Sequence, residues 1–281
     1  MSVTVFLREI IKCILPIVLK EQPGNSTKTS VSDSWAYTDF CLKASNDVFT
    51  FSNFRKNKVY RRILEHVNVR TGQLYLDEII KIRKELLLDI DKIKENDLYG
   101  NPDLYEYNGV GKISPSTLRY VKVFADLLRM FNKLDEYKIA EIGVGYGGQC
   151  RIINSIAKPK EYTLIDIKPA LLLAQRYLDG YDMSSTIKYK TIDDLSTYIK
   201  NYDLVISNYA FTELRREIQE VYLDKIILNS KRGYITYNEI TPNYFKSYKK
   251  KELLSVIPNS HIIEETPLTH YKNCIIIWGN K

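Results

Sequence analysis

A glycine-rich stretch contains the residues best placed for chemistry, Glu141-Ile142-Gly143-Val144-Gly145-Tyr146-Gly147-Gly148-Gln149. The short apolar run before it, residues 138–140, predicts a buried strand, and residues 150–157 after it predict a helix. Glycines let the backbone turn sharply and approach a ligand where a Cβ atom would clash. The first N–H groups of a helix have no partner within the helix and can bind polar ligand atoms. Together these elements predict a cradle for a nucleotide-like cofactor.

The spacing of the glycines fits two cofactor classes. Gly143, Gly145 and Gly148 match the dinucleotide pattern G-x-G-x-x-G. The first two, with Gly147, also match the acidic-x-G-x-G-x-G pattern typical of class I S-adenosylmethionine (SAM) methyltransferases. Glu141 lies two residues before the first glycine, where those enzymes place an acid near the cationic methionine end. Because a dinucleotide pyrophosphate is anionic, an acid at this position favours SAM.

Two further strands contribute to the choice of cofactor. Residues 161–166 predict a second strand that ends in Asp166, whose carboxylate can accept hydrogen bonds from both ribose hydroxyls in either cofactor class. Residues 202–211 resemble the fourth-strand motif of methyltransferases, with Asn208 and Tyr209 placed where cofactor and substrate would meet. An ordinary turn in an α/β sheet would not require the glycine loop, a strand ending in an acid and the 202–211 motif to follow one another in this order. The sequence therefore favours SAM over a dinucleotide.

The order of predicted elements indicates an α/β fold with a helical N-terminal region. Residues 1–135 are expected to be mainly helical, with a role as a substrate lid or in oligomerisation, and residues 136–281 to form the SAM-binding domain. A helix is expected to start at Ser114-Pro115, because serine caps helices and proline suits the first turn. In the second part, strands are predicted at 138–142, 161–166, 186–190, 202–208, 232–237, 260–264 and 273–278, and helices at 148–157, 168–178, 193–200 and 213–229. The alternation predicts a Rossmann-like, mostly parallel seven-stranded sheet with an antiparallel edge.

Composition sets limits on location and partners. The 281 residues carry a net charge of +7, which fits a phosphorylated substrate, an anionic membrane or nucleic acid, or simply a lysine-rich chain. Four cysteines without C-x-x-C spacing predict free thiols in the cytoplasm. Residues 3–19 are apolar but interrupted by charges and Pro16, and lack a signal-peptide pattern. They predict a helix packed on the body or on a partner, with contact at the inner membrane face as the second interpretation.

Several short segments together resemble a family of sugar O-methyltransferases of bacterial surface-polysaccharide biosynthesis. The resemblance covers most of the chain, and the segment 207–214 is its most specific part. The matching segments are Ser52-Asn53-Phe54-Arg55, Ser114-Pro115-Ser116-Thr117-Leu118-Arg119-Tyr120, residues 141–148, Ser207-Asn208-Tyr209-Ala210-Phe211-Thr212-Glu213-Leu214 and Gly233-Tyr234-Ile235-Thr236-Tyr237-Asn238. The resemblance implies SAM-dependent methyl transfer to a sugar hydroxyl in capsule, O-antigen or other surface-glycan synthesis. The acceptor would be a nucleotide-, lipid- or polymer-linked sugar, and the helical region is a candidate for contact with a second copy of the chain.

Two other functions remain open at this stage. An RNA methyltransferase would also use a basic surface, but no RNA-binding module is recognised and the run 249–251 is short, so nucleic acid is not expected as a partner. A SAM-binding scaffold without activity would work through its N-terminal helices. The intact Glu141, Asp166 and Asn208 segments argue against a decayed site.

A sugar hydroxyl is a poor nucleophile at neutral pH, so we expect a histidine or carboxylate as general base near the carboxyl edge of the sheet. Glu213, five residues beyond Asn208, is the first candidate, although an acid there could instead stabilise a helix start. His270 is the second, because it lies in a polar connection between the last two predicted strands and histidine titrates near neutral pH. Members of the family carry a histidine near this place. Glu239, just after the fifth strand, is the third.

The remaining site predictions concern the cofactor. Asp193 follows the third strand, where related enzymes contact the adenine amino group, although its neighbour Asp194 could cap a helix instead. Arg119 precedes the cofactor strand and is expected near the carboxylate of SAM. No metal is predicted, since the acids at 193–194 have no histidine nearby in sequence. The predicted cofactor-binding set is Glu141, Gly143, Gly145, Tyr146, Gly147, Asp166, Asp193, Asn208, Tyr209 and Arg119.

Overall fold

A computed structural model describes residues 29–31, 34–195 and 201–280 of the chain. The apolar segment 3–19, with its predicted partner or membrane contact, lies outside the described residues, as do residues 196–200 of the helix predicted at 193–200. Within the described part, no helix combines the length and apolar character needed to cross a membrane.

The described residues form ten α-helices and nine strands. The helices are α1 Trp35–Asn46, α2 Val48–Ser52, α3 Lys58–Ile63, α4 Val69–Arg83, α5 Ile90–Lys94, α6 Pro115–Phe131, α7 Gly148–Ile156, α8 Lys168–Leu178, α9 Arg216–Tyr222 and α10 Lys250–Val256. The strands are β1 Tyr105–Tyr107, β2 Gly111–Ile113, β3 Lys138–Ile142, β4 Glu161–Ile165, β5 Thr186–Lys190, β6 Leu204–Asn208, β7 Gly233–Tyr237, β8 His261–Ile263 and β9 Cys274–Trp278. Short 3-10 turns span Phe54–Lys56, Lys84–Asp89, Glu95–Asp97, Asp193–Leu195, Ala210–Glu213 and Asn243–Phe245, and a π-helical turn spans Leu223–Ile227.

Strands β3 to β9 form one seven-stranded sheet in the order β5-β4-β3-β6-β7-β9-β8. The first five are parallel, and β9 runs antiparallel to both β7 and β8. The predicted α/β class, the mostly parallel seven-stranded sheet and its antiparallel edge are therefore confirmed. The strand order reverses between β3 and β6, so the carboxyl ends of these two strands flank the crevice where open α/β sheets bind ligands.

Helix α6 shows how local sequence places the helical region on the sheet. Ser114 Oγ accepts a hydrogen bond from the backbone N–H of Thr117 at 3.2 Å, and Pro115 occupies the first turn, as the sequence predicted. The helix is buried around most of its circumference, because α4 and α7 pack against it, and its Asp126 accepts a hydrogen bond from the hydroxyl of Tyr234 on β7 at 2.9 Å. It therefore links the helical region to the strands.

Three elements differ from the sequence prediction. The proline and three glycines of residues 96–111 predict a loop, but this segment includes β1 and the turn into β2, whose three-residue strands are too short to show alternation. The apolar pattern over 74–93 continues through a 3-10 turn at Lys84–Asp89 rather than as one helix. The helix expected at 213–229 begins at Arg216 and passes into a π-helical turn at Leu223–Ile227.

Two hydrophobic cores lie on opposite faces of the sheet. Successive residues of β3 point to opposite faces of the sheet and so belong to different cores. Ile139 packs with the helical region, whereas Ala140 packs with α9 and α10. The first core continues without a break from helices α1, α3, α4 and α6 into the strands. The helical region thus shares its core with the predicted cofactor domain.

Three of the five segments that carry the family resemblance, those containing Arg55, Ser114 and Tyr146, meet at a buried guanidinium. Arg55 donates to both carboxylate oxygens of Glu65, at 2.9 and 3.1 Å, and to Asp97 Oδ1 at 2.7 Å. It also donates to Ser114 Oγ at 2.9 Å, and its guanidinium lies 5.0 Å from the ring centroid of Tyr146 in the glycine-rich loop. The charge is paired on several sides, which is the condition under which a buried ion remains tolerable.

Candidate functional site

The glycine-rich loop follows β3 and turns into α7 with three residues in the left-handed region. Gly143, Gly145 and Gly147 have φ values of 77°, 56° and 85°. A Cβ atom on Gly143 would lie 1.9 Å from the Cβ of Ala210, and one on Gly145 would lie 2.8 Å from Leu64 Cδ1. The first two glycines are therefore required both by the backbone turn and by close packing.

Asp166, directly after β4, fixes the loop from the side. Its Oδ2 accepts hydrogen bonds from the backbone N–H groups of Val144 at 2.8 Å and Gly145 at 3.3 Å, and Oδ1 accepts one from Ile167 at 2.7 Å. The predicted ribose carboxylate thus lies against the predicted glycine loop. Each carboxylate oxygen can accept more than one hydrogen bond, so these contacts are compatible with further ligation.

Glu141 has a partner that the sequence did not indicate. It is almost fully buried on β3, and its Oε2 accepts a hydrogen bond from the hydroxyl of Tyr162 on β4 at 2.7 Å. Burial raises the pKa of Glu141 to about 8, although the hydrogen bond from Tyr162 opposes this shift. The carboxyl is therefore largely neutral at pH 7 and is bound within the sheet. Its predicted contact with the cationic end of SAM stays a prediction.

Helices α1 and α3 pack against each other, and the end of α3 meets the glycine loop; we call these two helices the roof. Leu64, which ends α3, contacts Gly145. The hydroxyls of Tyr60 on α3 and Tyr146 in the loop are buried, and neither has a hydrogen-bond partner among the described residues. Buried polar atoms of this kind, beside a glycine cradle and a carboxylate, fit a polar cofactor such as SAM. Leu64 would have to move aside to admit it.

A pocket opens beside the loop, at the carboxyl ends of β6 and β7. It is lined by Tyr75, Arg119, Tyr120, Lys122, Val123, Asn208, Tyr209, Tyr234, Thr236, Glu265 and Thr266. Within it, Asn208 Nδ2 donates to Gln149 Oε1 and Thr236 Oγ1 donates to Asn208 Oδ1, each at 3.5 Å. Because Gln149 belongs to the first turn of α7, the pocket adjoins the glycine loop.

Tyr209 has an unusual backbone and a tight side-chain contact in this pocket. Its φ of 69° is rare for an aromatic residue, and such strain concentrates at functional sites. Its hydroxyl donates a short hydrogen bond to Glu265 Oε1 and lies 3.3 Å from Thr269 Oγ1. Burial raises the pKa of Tyr209 well above its ordinary value, and neighbouring Tyr75 and Glu265 raise it further, so the hydroxyl keeps its proton.

Glu265 is the buried carboxylate that the sequence analysis missed. Besides the bond from Tyr209, its Oε2 accepts hydrogen bonds from the N–H and the hydroxyl of Thr269, at 3.0 and 2.7 Å. It follows β8 at the start of the polar connection that also holds His270. The polar character of this connection was a signal for a site residue, but the sequence did not indicate which side chain turns inward.

Glu213, the first predicted base, lies near the pocket but does not line it. Its Oε1 accepts a hydrogen bond from Asn238 Nδ2 at 2.7 Å, and Asn238 Oδ1 in turn accepts one from Thr212 Oγ1 at 2.8 Å. Burial raises the pKa of Glu213 to about 7, and the bond from Asn238 opposes this shift. The backbone carbonyl of Glu213 also accepts a hydrogen bond from Val31 at 3.2 Å. A carboxyl with a pKa near 7 is suited to proton transfer, but Glu213 does not line the pocket.

The other two predicted bases are grouped around Lys272 outside the pocket lining. Glu239 forms ion pairs with Lys272 at 3.2 Å and with Lys249 at 3.6 Å. His270 Nδ1 accepts a hydrogen bond from the backbone N–H of Lys272 at 3.2 Å. Partial burial and the charge of Lys272 lower the pKa of His270. The structure thus brings Glu239 and His270 together beside Lys272, and neither lines the pocket.

Known proteins resemble this chain only distantly. No family model and no curated protein matches the sequence. Among solved structures, magnesium protoporphyrin IX methyltransferase from Synechocystis PCC 6803 with bound SAH is 15% identical over 57% of this chain and 80% of that chain, with a TM-score of 0.44. Thermoplasma acidophilum 1320 is 16% identical over 70% and 95%, with a TM-score of 0.40. The pyocyanin biosynthetic protein PhzM is 11% identical over 59% and 58%, with a TM-score of 0.42. These values are too low to transfer an activity or a substrate.

The remaining predicted cofactor residues occupy three places. Arg119 lines the pocket, donates to the carbonyl of Leu64 at 3.3 Å and lies over the ring of Tyr120. Asp193 begins the 3-10 turn after β5, and its neighbour Asp194 accepts hydrogen bonds from the N–H and hydroxyl of Thr191 at 2.7 and 3.0 Å. Tyr146 packs edge-on against Phe54 and Tyr177 in the first core. Among the described residues, no group of three or more histidine, cysteine, aspartate or glutamate side chains is arranged to hold a metal.

Proposed function

We propose that this chain is a SAM-dependent O-methyltransferase. The observation that carries the proposal is the pocket containing Asn208 and Tyr209, which directly adjoins a glycine loop held by Asp166. The loop, Asp166, Asn208 and Arg119 would hold the cofactor. When bound, SAM supplies a methyl group made electrophilic by its positively charged sulfur. The protein's task is then to place an acceptor oxygen in line behind that methyl group, where good orientation is worth about 7–11 kcal/mol.

Glu265 is the proposed general base. It is the buried carboxylate in the pocket lining, whereas Glu213, Glu239 and His270 lie outside that lining. The hydroxyl of Tyr209 and the groups of Thr269 hold the carboxylate in one orientation. In the proposed step the acceptor O–H proton passes to Glu265 while the O–CH₃ bond forms and the bond from methyl to sulfur breaks. S-adenosylhomocysteine (SAH) leaves as the neutral product.

The proposed acceptor is a sugar hydroxyl, in line with the resemblance to surface-polysaccharide methyltransferases. Four tyrosines line the pocket: Tyr75, Tyr120, Tyr209 and Tyr234. Such amphipathic side chains suit a ligand with apolar C–H faces and many hydroxyls. Arg119 offers guanidinium donors at the same pocket, which suits a phosphate on a nucleotide- or lipid-linked sugar.

Calorimetric titration with SAH, in parallel with NAD and NADP, tests the cofactor. Selective SAH binding supports the proposal, and selective dinucleotide binding refutes it. The acceptor is tested by following transfer of labelled methyl groups from SAM to a panel of free, nucleotide-linked and lipid-linked sugars, with RNA as the competing acceptor. Transfer to RNA alone would replace the sugar assignment.

The base is tested by three variants in the same transfer assay. Glu265→Gln should lower kcat by about 10²–10⁴-fold, the usual contribution of a general base, with unchanged SAH affinity. Glu213→Gln and His270→Asn serve as matched comparisons and should retain most of the activity. A larger loss in Glu213→Gln than in Glu265→Gln would move the role to Glu213.

A further inference from the structure

Two buried tyrosine hydroxyls above the glycine loop require an explanation. Tyr60 on α3 and Tyr146 in the loop are both fully buried, and their hydroxyl oxygens have no hydrogen-bond partner among the described residues. Burying a hydroxyl without a partner is destabilising, and native proteins contain few such groups. A buried hydroxyl without a protein partner therefore indicates that it forms a hydrogen bond with a bound ligand.

The position of Tyr60 points to the cofactor cradle. Its ring stacks on Tyr37 of α1 at a centroid distance of 6.0 Å and meets Phe54 edge-on at 5.2 Å. Leu64 follows four residues later and contacts Gly145. Residues four apart lie on the same side of a helix, so Tyr60 and Leu64 both face the loop.

A shared neighbour joins Tyr60 to the glycine loop. The ring of Phe54 meets Tyr60 edge-on at a centroid distance of 5.2 Å and meets Tyr146 of the loop at 5.4 Å. Tyr146 in turn meets Tyr120, which lines the pocket that contains Asn208, at 5.9 Å. These contacts place Tyr60 in one aromatic cluster with the loop. Burial raises the pKa of Tyr60, so its hydroxyl keeps its proton.

The other roof helix, α1, packs on α8, the helix that follows Asp166 in the chain. Burial raises the pKa of Tyr37 on α1, and the nearby Cys41 and the carboxylate of Asp166 raise it further. The two roof helices thus contact the loop at Gly145 and the helix that begins just after Asp166.

We propose that Tyr60 is a cofactor-binding residue contributed by the N-terminal helical region. Its hydroxyl, which has no hydrogen-bond partner among the described residues, would form a hydrogen bond with a polar group of SAM. This requires Leu64 to move away from Gly145. The proposal rests on the proposed function, since it requires SAM as the cofactor. It also assigns the helical region a direct part in the cofactor site.

Tyr60→Phe separates the hydroxyl from the ring, because phenylalanine preserves the packing against Tyr37 and Phe54. The dissociation constant for SAH, measured by calorimetry, should rise about 3- to 10-fold, the usual effect of losing one hydrogen bond. The unfolding temperature of the ligand-free variant should equal or exceed that of the wild type, because a hydroxyl without a partner has been removed. Tyr202→Phe is the matched control: Tyr202 is buried just before β6, away from the carboxyl ends of the strands, and SAH affinity should not change.

The outcomes distinguish this proposal from the proposed function. If the wild-type protein fails to bind SAH, the proposed function fails and this inference with it. If the wild type binds SAH and Tyr60→Phe binds equally well, the role of Tyr60 alone is refuted. A lower unfolding temperature of the ligand-free Tyr60→Phe variant would also overturn the inference, because the hydroxyl would then have a structural partner.

Discussion

At Gly143, the need for a left-handed backbone and the need for space beside Ala210 can be measured separately as changes in the free energy of unfolding. Its φ of 77° lies in the left-handed region, which costs a non-glycine residue about 1–2 kcal/mol. A Cβ atom would also lie 1.9 Å from the Cβ of Ala210, and overpacking of this kind costs about 1–3 kcal/mol. We therefore expect Gly143→Ala to lower the free energy of unfolding by about 2–5 kcal/mol, against typical totals of about 5–15 kcal/mol.

A second glycine supplies the control for the backbone part. Gly109 has a φ of 74°, but a Cβ atom there would meet nothing within 4 Å. Gly109→Ala should therefore lower the free energy of unfolding by only about 1–2 kcal/mol. The difference between the two variants isolates the clash with Ala210.

Removing the opposing methyl group completes the test. Adding Ala210→Gly to Gly143→Ala should recover the clash part of the loss and leave the backbone part. Urea unfolding followed by far-UV circular dichroism gives the four free energies of this double-mutant cycle. The reasoning is refuted if Gly143→Ala costs no more than Gly109→Ala, or if the two substitutions are additive.

Two further predictions concern buried ionisable side chains. The pKa of Glu141 is raised from 4.5 to about 8, so the wild type should lose stability as pH rises between these values. Glu141→Gln has no ionisable group at this position and therefore no such loss. The urea midpoint of this variant, measured relative to that of the wild type, should rise between pH 5 and pH 8.5. If the difference between the two midpoints is the same at every pH, the pKa of Glu141 is not raised. Arg55→Met leaves the carboxylates of Glu65 and Asp97 buried without their partner, which should lower the free energy of unfolding by about 3–5 kcal/mol. A loss below 1 kcal/mol in urea unfolding would show that this network contributes little.

Much of the sheet was predictable because its signals are local. The strand 138–142, which is buried almost throughout, and the half-exposed edge strand 186–190 were both predicted with their exact bounds. The start of α6 was predictable for the same reason, since Ser114 and Pro115 act within one helical turn. The hairpin of β1 and β2 was missed because strands of three residues carry too little periodicity.

The candidate site was predictable only where chain order determines position. Asp166 and the glycine loop lie at adjacent strand ends, and their hydrogen bonds follow from the parallel pairing of β3 with β4. Glu265 joins Tyr209 across 56 residues of sequence, a contact that no local pattern reports. Tyr60 was missed for the same reason, because its relation to the loop depends on how α3 packs.

Arg55 also has a consequence for synthesis of the chain. Its partners Glu65, Asp97 and Ser114 lie 10, 42 and 59 residues further along, and Tyr146 follows later still. A ribosome releases the arginine well before most of these groups, and an unpaired guanidinium remains in water because burial would be costly. The helical region therefore cannot complete its packing until the glycine loop has emerged. The first part of the chain to be made is among the last to be finished, and until then its apolar surfaces depend on protection from aggregation.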